Sequence, residues 1–448
     1  MNFKAKKIEL AQWLIDPDKQ LELSTDWDFL EKKLEENGLM KIFEEIELPL
    51  APILEEMKEI GIKVDLDYLA KLSKALEKEI SELVKKIYKL ANGEFNLNSP
   101  KQLSEVLFDR LKIEDSGVRK TKTGLRSTDA ESLSTIKDRH PVIGPILKYR
   151  ELFKIKSTYI DPFQELADKN NRLHTTFVQT GTGTGRLSSQ TPNLQNIPII
   201  GEWGEKVRRA FIADKGFSLV AFDYSQIELR VLATVSGDPK MTSAFKNDED
   251  IHKMTAANVF NTALEKVTPE MRNVAKTLNF GVIYGMGADA FAKTSGLPRE
   301  KAQEFIKEYF SDFADIKRWQ EKTIQKARRV GYVENLNGRR RLLPNILSDR
   351  RFLAAEAERV AINMPIQGLA ADIIKIAMIK ITAAFKKKKW PAGKARMLLT
   401  IHDELVFEIT DDILKEAISV IKSEMENAYQ LAVPLKVAGG SGKNWSEL

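Results

Sequence analysis

Two short strings that end in carboxylates constrain this chain more than any other feature of its sequence. In the first, the apolar residues 219–222 run directly into Asp223. In the second, residues 397–401 lead to Asp403, after which the apolar residues 405–407 follow. An unpaired charge is costly to bury at the end of an apolar strand. We therefore predict two neighbouring strands whose acids share divalent metal ions, an arrangement typical of phosphoryl-transfer enzymes.

The composition predicts a globular chain of several parts. A length of 448 residues favours two to four domains or subdomains, and 43% of the residues are hydrophobic while 30% are charged. The net charge is only +6, from 70 basic and 64 acidic residues, so binding to nucleic acid would require cations concentrated on particular surfaces. The chain has no cysteine, which excludes disulfides, thiolate metal sites and a cysteine nucleophile.

The sequence gives no indication of a membrane segment. No apolar run approaches the roughly 18 residues that a transmembrane helix needs. The N-terminal string MNFKAKKIEL lacks the apolar centre of a signal peptide. We therefore expect a cytoplasmic protein without a membrane partner, and we expect it to be a monomer.

Several segments predict local structure before any function is considered. Apolar residues recur every three or four positions over 69–90, which predicts a long amphipathic helix that stops at Asn92-Gly93. The basic segments 120–128 and 148–159 suit either contact with a phosphate backbone or a solvated helix face. The Gly-, Thr-, Ser- and Asn-rich segment 176–200 predicts an ordered loop.

The two acidic strings suggest a specific metal chemistry. Two carboxylates on adjacent strands can hold two Mg²⁺ ions about 4 Å apart. We assign the ligand role to Asp223 and Asp403, with the backbone carbonyl of Tyr224 as a further ligand and Mn²⁺ as a substitute ion. The side chain of Glu404 would point away from that of Asp403 on a regular strand, so we give it a secondary role.

A helix predicted between the acidic strings carries charge and aromatic rings on one face. Two cations and two aromatic residues recur every four positions: Arg272, Lys276, Phe280 and Tyr284. The cations could hold a triphosphate while the rings stack on a base, although an amphipathic helix with solvated cations and core aromatics would give the same spacing. Gly281 and Gly285 favour the first interpretation, because glycine inside a helix costs about 1 kcal/mol and suggests that something flat approaches closely.

With these residues in place, the chain closely resembles the polymerase region of family A DNA polymerases over roughly residues 45–448. The matching strings occur in the family's order: TGRLSSQTPNLQNIP, DYSQIELR, RNVAKTLNFGVIYG, NMPIQG and HDELVFE. The resemblance implies an α+β fold shaped like a right hand, with an antiparallel-sheet palm, helical fingers and a helical thumb that grips duplex DNA. The implied divisions are an N-terminal remnant at 1–45, the thumb at 46–165, the first part of the palm at 166–240, the fingers at 241–349, and a fingers-to-palm helix with the rest of the palm at 350–448.

The resemblance also implies roles for single residues. Asp223 and Asp403 match metal ligands, and with Glu404 and Lys276 they form the implied catalytic set. The residues that match the nucleotide site are Arg272, Lys276, Phe280, Tyr284, His252, Gln226 and Glu228. The residues that match the primer-template site are Arg186, Gln195, Asn196, Asn363, Gln367 and His402. Glu228 resembles a steric gate against the ribose 2′-hydroxyl, and Phe280 in place of Tyr implies discrimination against dideoxynucleotides.

The implied activity is template-directed addition of deoxynucleotides to a primer 3′-hydroxyl, with a primer-template duplex and dNTPs as partners. Residues 1–45 resemble a shortened remnant of an exonuclease-like domain without its Asp-x-Glu motif, so we expect neither 3′–5′ proofreading nor a 5′ nuclease. A single-subunit RNA polymerase shares this chemistry, but Glu228 argues against it. A non-catalytic DNA-clamping subunit would have lost the acids, whereas Asp223 and Asp403 are both present.

Two departures from the family's pattern are local. Leu369 follows NMPIQG where relatives usually have Thr, which predicts a small change in packing. The C-terminal string VAGGSGKNW places Gly439 and Gly440 in the final strand, which predicts that this strand is loose.

Overall fold

The computed structural model describes residues 2–19, 21–198 and 202–448. The α-helices are α1 Phe3–Ile15, α2 Trp27–Glu36, α3 Met40–Ile42, α4 Leu48–Ile60, α5 Leu66–Leu90, α6 Pro100–Ser104, α7 Ala130–Thr135, α8 Ile143–Ile155, α9 Asp161–Leu166, α10 Glu202–Arg209, α11 Ile227–Ser236, α12 Pro239–Lys246, α13 Ile251–Val259, α14 Pro269–Ile283, α15 Ala288–Ser295, α16 Arg299–Asp312, α17 Ala314–Val330, α18 Arg351–Lys387 and α19 Leu414–Glu426. Wider π-helical turns occupy Phe43–Glu47, Glu105–Arg110 and Lys156–Ile160, and 3₁₀ turns occupy Leu264–Lys266 and Trp445–Glu447. The strands are β1 Ile62–Lys63, β2 Arg172–Leu173, β3 Thr176–Val178, β4 Ser188–Gln190, β5 Phe217–Tyr224, β6 Tyr332–Glu334, β7 Arg340–Leu342, β8 Ala395–Ile401, β9 Glu404–Thr410 and β10 Val437–Gly442.

The largest sheet is antiparallel and contains both acidic strings. Its strand order is β10-β5-β9-β8. The middle of β5 is buried from Ser218 to Phe222, and β9 is buried from Leu405 to Ile409. Strands buried on both faces read as continuous apolar runs rather than as an alternation, and both strings have that form. α19 packs against β5 and β9, so helices and sheet share one continuous core.

The predicted amphipathic helix is confirmed as α5. Asp65 caps its N-terminus by accepting a hydrogen bond from the Tyr68 backbone at 2.9 Å. Beyond its C-terminus the chain reverses at Asn92 and Gly93, which both have positive φ. α5 packs against α8, and its distal half forms a separate apolar core around Leu103 and Ile146.

The N-terminal residues form their own apolar core instead of lying loosely on the surface. Leu10, Trp13 and Phe43 are buried in it, and the core continues past residue 45 as far as Ala51. Ile376 of α18 packs against this core, which joins it to the rest of the chain. The division at residue 45 and the other sequence-based boundaries stay predictions.

α18 is the helix that was predicted to begin near residue 350. It has 37 residues and continues through Pro365 to Lys387. Most of its middle is buried, from Met364 to Lys375, which is why the NMPIQG string lies deep in the molecule. In the part of the chain that the structure describes, neither α18 nor another helix combines the length and apolarity needed to cross a bilayer.

The expectation of a loose C-terminal strand is wrong for the backbone pairing. β10 pairs with β5 over all six of its residues, from Val437 opposite Tyr224 to Gly442 opposite Leu219. A Cβ atom at Gly439 would lie only 1.9 Å from the Ala221 carbonyl oxygen. Glycine is therefore required there for the two backbones to approach, whereas Gly440 has open space around its Cα.

Candidate active site

The two acidic strings meet where β5 ends and β9 begins. Asp223 lies opposite Glu404 in the ladder, and the Tyr224 backbone N–H donates to the Asp403 carbonyl oxygen at 3.2 Å. The Tyr224 side chain anchors the end of β5, because its buried hydroxyl donates to the Met425 carbonyl at 2.7 Å. The structure thus brings Asp223 and Asp403 together at one edge of the sheet.

The closeness of the two carboxylates changes the ionisation of Asp223. Although Asp223 remains open to solvent, the surrounding protein and the adjacent Asp403 raise its pKa to about 8. Two carboxylates this close cannot both ionise without a compensating charge. A bound divalent cation would supply that charge, so the residues present fit a metal site. Within the described ranges no three or more acidic, histidine or cysteine side chains are arranged to hold a metal ion together, so other oxygen ligands would have to complete a metal's coordination.

Two non-glycine residues with left-handed backbone conformations hold the acidic turns in place. His402 has φ 53° in the two-residue turn between β8 and β9, and Gln226 has φ 55° just before α11. Such conformations cost on the order of 1–3 kcal/mol and concentrate at functional sites. Asp403 directly follows the first of these residues and Glu228 closely follows the second, and both acids line one cavity.

That cavity has a volume of about 490 Å³ and collects most of the predicted site residues. The predicted residues that line it are Arg186, Gln195, Asp223, Tyr224, Gln226, Glu228, His252, Arg272, Lys276, Phe280, Tyr284, His402 and Asp403. Asp223 and Asp403 line it from the end of the sheet, while Arg272, Lys276 and Phe280 line it from α14. An acid pair facing a cationic wall is suited to binding a polyphosphate together with metal ions.

α14 begins at a well-formed cap and ends earlier than the sequence predicted. The Thr268 side chain accepts from the Met271 backbone at 3.3 Å. Arg272, Lys276 and Phe280 lie on the helix, whereas Tyr284 is the residue that ends it. Its aromatic ring still lines the cavity, so the four-residue spacing holds across the helix end.

The two glycines near this helix end have close neighbours within the chain itself. A Cβ at Gly281 would meet the Met286 sulfur at 2.9 Å, and one at Gly285 would meet the Ile362 Cδ1 atom at 2.9 Å. Gly285 also lies beyond the helix, with φ 62°. Both glycines thus accommodate the chain's own packing and its turn, and the approach of a flat ligand stays a prediction.

Glu228 is buried at the floor of the cavity and is held from two sides. One carboxylate oxygen pairs with the Arg186 guanidinium, and the other accepts from the Tyr284 hydroxyl at 3.2 Å. Burial raises the pKa of Glu228, and the Arg186 charge opposes that rise. The contacts fix the rotamer of a carboxylate that would otherwise be free to move in the cavity.

His252 presents an uncharged ring to the cavity. Burial and the nearby Arg272 charge lower its pKa to about 4. Its Nδ1 is 3.0 Å from the Asn279 side-chain amide, and its ring lies 5.8 Å from that of Phe280. At neutral pH it can therefore offer a phosphate an N–H hydrogen bond but not an ion pair.

Buried His252 should make the protein less stable in acid. An unfolded histidine takes up a proton near pH 6.5, whereas the folded one does so only near pH 4, so the unfolded state binds more protons between these values. Lowering the pH from 7 to 4 should cost about 3 kcal/mol of unfolding free energy through this residue. Urea unfolding at several pH values should show that loss in the wild type and a smaller loss in His252→Asn. Identical pH slopes in the two proteins would refute the assignment.

The predicted primer-template residues divide into two groups. Gln195 and His402 line both the central cavity and an adjoining open groove, and Asn196 lines the groove alone. The Gln195 amide is fixed by donating to the Thr400 carbonyl at 3.0 Å. Asn363 and Gln367 lie on α18 and line neither space, although the Asn363 side-chain oxygen is buried and has no hydrogen-bond partner among the residues that the structure describes.

Glu404 turns away from the cavity. It does not line the cavity wall, and its Oε1 accepts from the Trp445 indole N–H at 3.1 Å. Burial raises the pKa of Glu404, while the Trp445 hydrogen bond and the Arg208 charge oppose the rise. The secondary role predicted for Glu404 thus fits its position behind Asp403.

Sequence reasoning missed Lys375, which also lines the cavity. It lies on α18 four residues after Ala371, which lines the same cavity, but neither of the predicted residues on that helix does, so no sequence signal pointed to it. The Lys375 ammonium is bound by buried Glu47 at 2.6 Å. Nothing in the local sequence around Glu47 indicates that contact.

Comparisons with known proteins agree with this geometry. The sequence profile described as DNA polymerase family A matches residues 66–447. The chain is 47% identical to a thermostable DNA polymerase I of Thermus filiformis over 410 residues, and 46% identical to that of Thermus aquaticus over 411 residues. These matches cover 91% and 92% of this chain but only 48% and 49% of the relatives, so the chain spans about half the length of the curated relatives it matches.

A solved structure confirms the predicted α+β polymerase fold. It is the POL domain of Pol1 from M. smegmatis, in complex with a DNA primer-template and a dNTP. Its TM-score is 0.92 at 36% sequence identity, and the match covers 98% of this chain and 81% of that one. Because the profile matches most of the chain and this fold carries the acid pair in its sheet, the chain belongs to DNA polymerase family A.

Proposed function

We propose that this chain is a DNA-directed DNA polymerase that extends a primer 3′-hydroxyl with deoxynucleotides chosen by a template. One observation carries the proposal: a single cavity places the Asp223–Asp403 pair opposite the cationic face of α14. A nuclease would need the acids, but it would not need the triphosphate-sized cationic wall beside them. Membership of the family supports the same function, as does the likeness to an M. smegmatis domain that binds a primer-template and a dNTP.

The incoming nucleotide would lie between α14 and the sheet. Arg272 and Lys276 would bind its triphosphate, and neutral His252 would add an N–H hydrogen bond. Phe280 would pack against its sugar and base. The Tyr284 ring lines the same cavity from the helix end, where it can occupy the position of a templating base until the nucleotide arrives.

Asp223 and Asp403, with the Tyr224 backbone carbonyl, would hold two Mg²⁺ ions, and Mn²⁺ is a suitable substitute. When bound, these ions would lower the pKa of the primer hydroxyl and neutralise the leaving pyrophosphate. The raised pKa of Asp223 supports this assignment, because a carboxyl pair that cannot ionise fully alone is stabilised by a cation. Glu404 would act from behind Asp403, where Trp445 holds it.

In the proposed reaction, the primer 3′-oxygen loses its proton and forms a bond to the α-phosphorus of the dNTP. The bond from that phosphorus to the oxygen bridging the α- and β-phosphates breaks, and pyrophosphate leaves. Lys276 and Arg272 would stabilise the charge that moves onto the pyrophosphate. Both cations line the same cavity as the acid pair, so they would lie near that charge as it develops.

The residues around the groove would position the primer-template duplex. Arg186, Gln195, Asn196 and His402 would contact it near the primer terminus, with Asn363 and Gln367 supporting from α18. Minor-groove acceptors are nearly the same for all correct base pairs. Contacts of this kind can therefore detect a mispair without reading the sequence.

Primer extension tests the proposal directly. A labelled primer annealed to DNA templates that differ in the first unpaired base should gain the complementary dNTP when Mg²⁺ is present, and EDTA should stop the reaction. Synthesis from ribonucleotides without a primer would instead identify an RNA polymerase. Duplex binding without nucleotide addition would identify a DNA-clamping subunit, and either result would refute the proposal.

Glu228→Ala should weaken discrimination against ribonucleotides. The carboxylate is buried and fixed by Arg186 and Tyr284, so it occupies space that a 2′-hydroxyl would need. Relieving such a clash is worth roughly 1–3 kcal/mol, which corresponds to a rise of about 10- to 100-fold in relative kcat/KM for rNTP over dNTP. Glu228→Gln keeps the bulk and is the control. If both variants select deoxynucleotides as well as the wild type does, Glu228 is not the gate.

A further inference from the structure

A carboxylate outside the cavity contacts two of its phosphate-binding candidates. Asp250 lies one residue before α13 and does not line the cavity, whereas His252 and Arg272 both do. Its Oδ2 accepts from the Arg272 Nε at 2.7 Å. Its Oδ1 accepts from the backbone N–H groups of His252 at 3.0 Å and Lys253 at 3.1 Å.

The two oxygens of Asp250 have separate tasks. Oδ1 is the N-cap of α13, which fixes the first turn of the helix that carries His252. Oδ2 accepts only the Nε–H of Arg272. Within the described ranges neither terminal nitrogen of the guanidinium has a partner, so the two can make a bidentate contact. One side chain thus orients groups from two helices, α13 and α14, toward the same cavity.

The ion pair itself contributes little to folding. The Arg272 and Asp250 side chains are 42% and 36% exposed, and solvent screens exposed ion pairs so that they add little to stability. Its value lies in orientation, because a planar guanidinium binds phosphate well only when its fork faces the oxygens. A residue with a small effect on stability and a direct effect on geometry is best explained as a positioning residue.

We propose that Asp250 is a positioning residue for nucleotide binding: it aims the Arg272 fork and the His252 ring at the triphosphate. This inference rests on the proposed function, since it deepens the assignment of that same site. Asp250 does not touch the substrate in this arrangement and takes no part in the chemical step. Its loss should therefore act on nucleotide affinity more than on the rate of the bound complex.

Asp250→Asn separates the two tasks. Its amide oxygen can still cap α13, since Asn is as good an N-cap as Asp. Its NH₂ group would then face the Arg272 Nε–H, donor against donor, so the orienting bond is lost. We expect KM for dNTP to rise about tenfold, the size expected for one charge-assisted hydrogen bond, with kcat within about twofold. Asp250→Ser, a shorter cap that cannot reach Arg272, should give the same split if the Asn variant folds poorly.

Asp248→Asn is the matched control. Asp248 lies two residues away in the same loop, is exposed and pairs with Lys436 at 2.7 Å, so its amide variant should leave KM unchanged. In an Arg272→Ala background, Asp250→Asn should add almost no further increase in KM, because the group it orients is gone. A KM unchanged by Asp250→Asn, or an effect of equal size without Arg272, would overturn the inference.

A separate binding measurement distinguishes failure of this inference from failure of the proposed function. Calorimetry with a dNTP, and separately with inorganic tripolyphosphate, measures triphosphate affinity without primer extension. If the wild type binds triphosphate about tenfold more tightly than Asp250→Asn but extends no primer, the positioning role stands and the proposed function fails. If the wild type extends primers and both proteins bind triphosphate equally, the positioning role fails alone. A wild type that binds neither ligand contradicts both.

Discussion

Asp403→Ala is expected to lower the rate of primer extension at least about 10³-fold while leaving the fold intact. A metal ion contributes several kcal/mol of transition-state stabilisation, and each 1.36 kcal/mol is a factor of ten in rate. Asp403 lies in a two-residue turn and is only partly buried, so its removal opens no core cavity. It also removes the carboxylate that raises the pKa of Asp223, so the folded protein loses a repulsion instead of a contact.

Single-turnover extension and thermal unfolding together check this prediction. The control is Asp412→Ala, which removes an exposed carboxylate just beyond the other end of β9, where it pairs with Lys394. That variant should extend primers at the wild-type rate, since surface changes of this kind usually shift stability by less than about 0.5 kcal/mol. Extension by Asp403→Ala within tenfold of the wild type would remove Asp403 from the set of metal ligands.

The parts of the fold that sequence predicted correctly are those fixed by local chemistry. α5 follows from its apolar period and its stop at Asn92-Gly93, and both operate within a few residues. Asp223 and Asp403 were found because a charge at the end of an apolar strand is unusual wherever the chain goes afterwards. These signals need no knowledge of which segments pack together.

The glycines show where local reasoning stops. Gly281, Gly285 and Gly439 were interpreted from helix and strand propensities. In the folded chain each has a close neighbour that those propensities do not take into account. The neighbours are Met286, Ile362 and the backbone at Ala221. Whether a glycine marks a ligand, a turn or a backbone contact depends on packing, which the linear sequence does not specify.

The polar contacts between side chains around the site also could not be predicted from the sequence. The sequence indicated Arg272 and His252 but not that Asp250 joins them, although all three lie within 22 residues of one another. Lys375 and Glu47 are 328 positions apart, and each by itself looks like an ordinary charged residue on a helix. Only the folded chain brings such groups together, and burial then decides what their charges do.

Glu47→Ala is expected to destabilise the protein by about 3–5 kcal/mol, the usual result of removing one partner from a buried ion pair. Glu47 is fully buried, and its carboxylate pairs with Lys375 and Arg339, which are themselves buried. Asp372 also binds Arg339, so the four charges balance. Gln179 donates to the Glu47 carboxylate at 2.9 Å and would lose that acceptor as well.

The cluster joins distant parts of the chain, so its loss should destabilise those parts together. Glu47 precedes α4, Arg339 lies in the turn before β7, and Lys375 is on α18. Burial opposes the ionisation of Glu47, yet the charges of Lys375 and Arg339 hold its pKa below the usual range. A folded pKa that is lowered stabilises the protein above the unfolded pKa, so this contribution should disappear as the pH falls through the acid range.

Urea unfolding of two variants with the wild type measures the effect. Glu44→Ala lies three residues earlier in the same helical turn but is exposed, so it should change stability by less than about 0.5 kcal/mol. At pH 7, Glu47→Ala should have an unfolding free energy about 3–5 kcal/mol below that of the wild type. At acid pH the difference should be smaller, because protonation of Glu47 has already weakened the ion pair in the wild type. Equal losses for the two variants, or a loss that grows in acid, would mean that the buried charges are not what joins these segments.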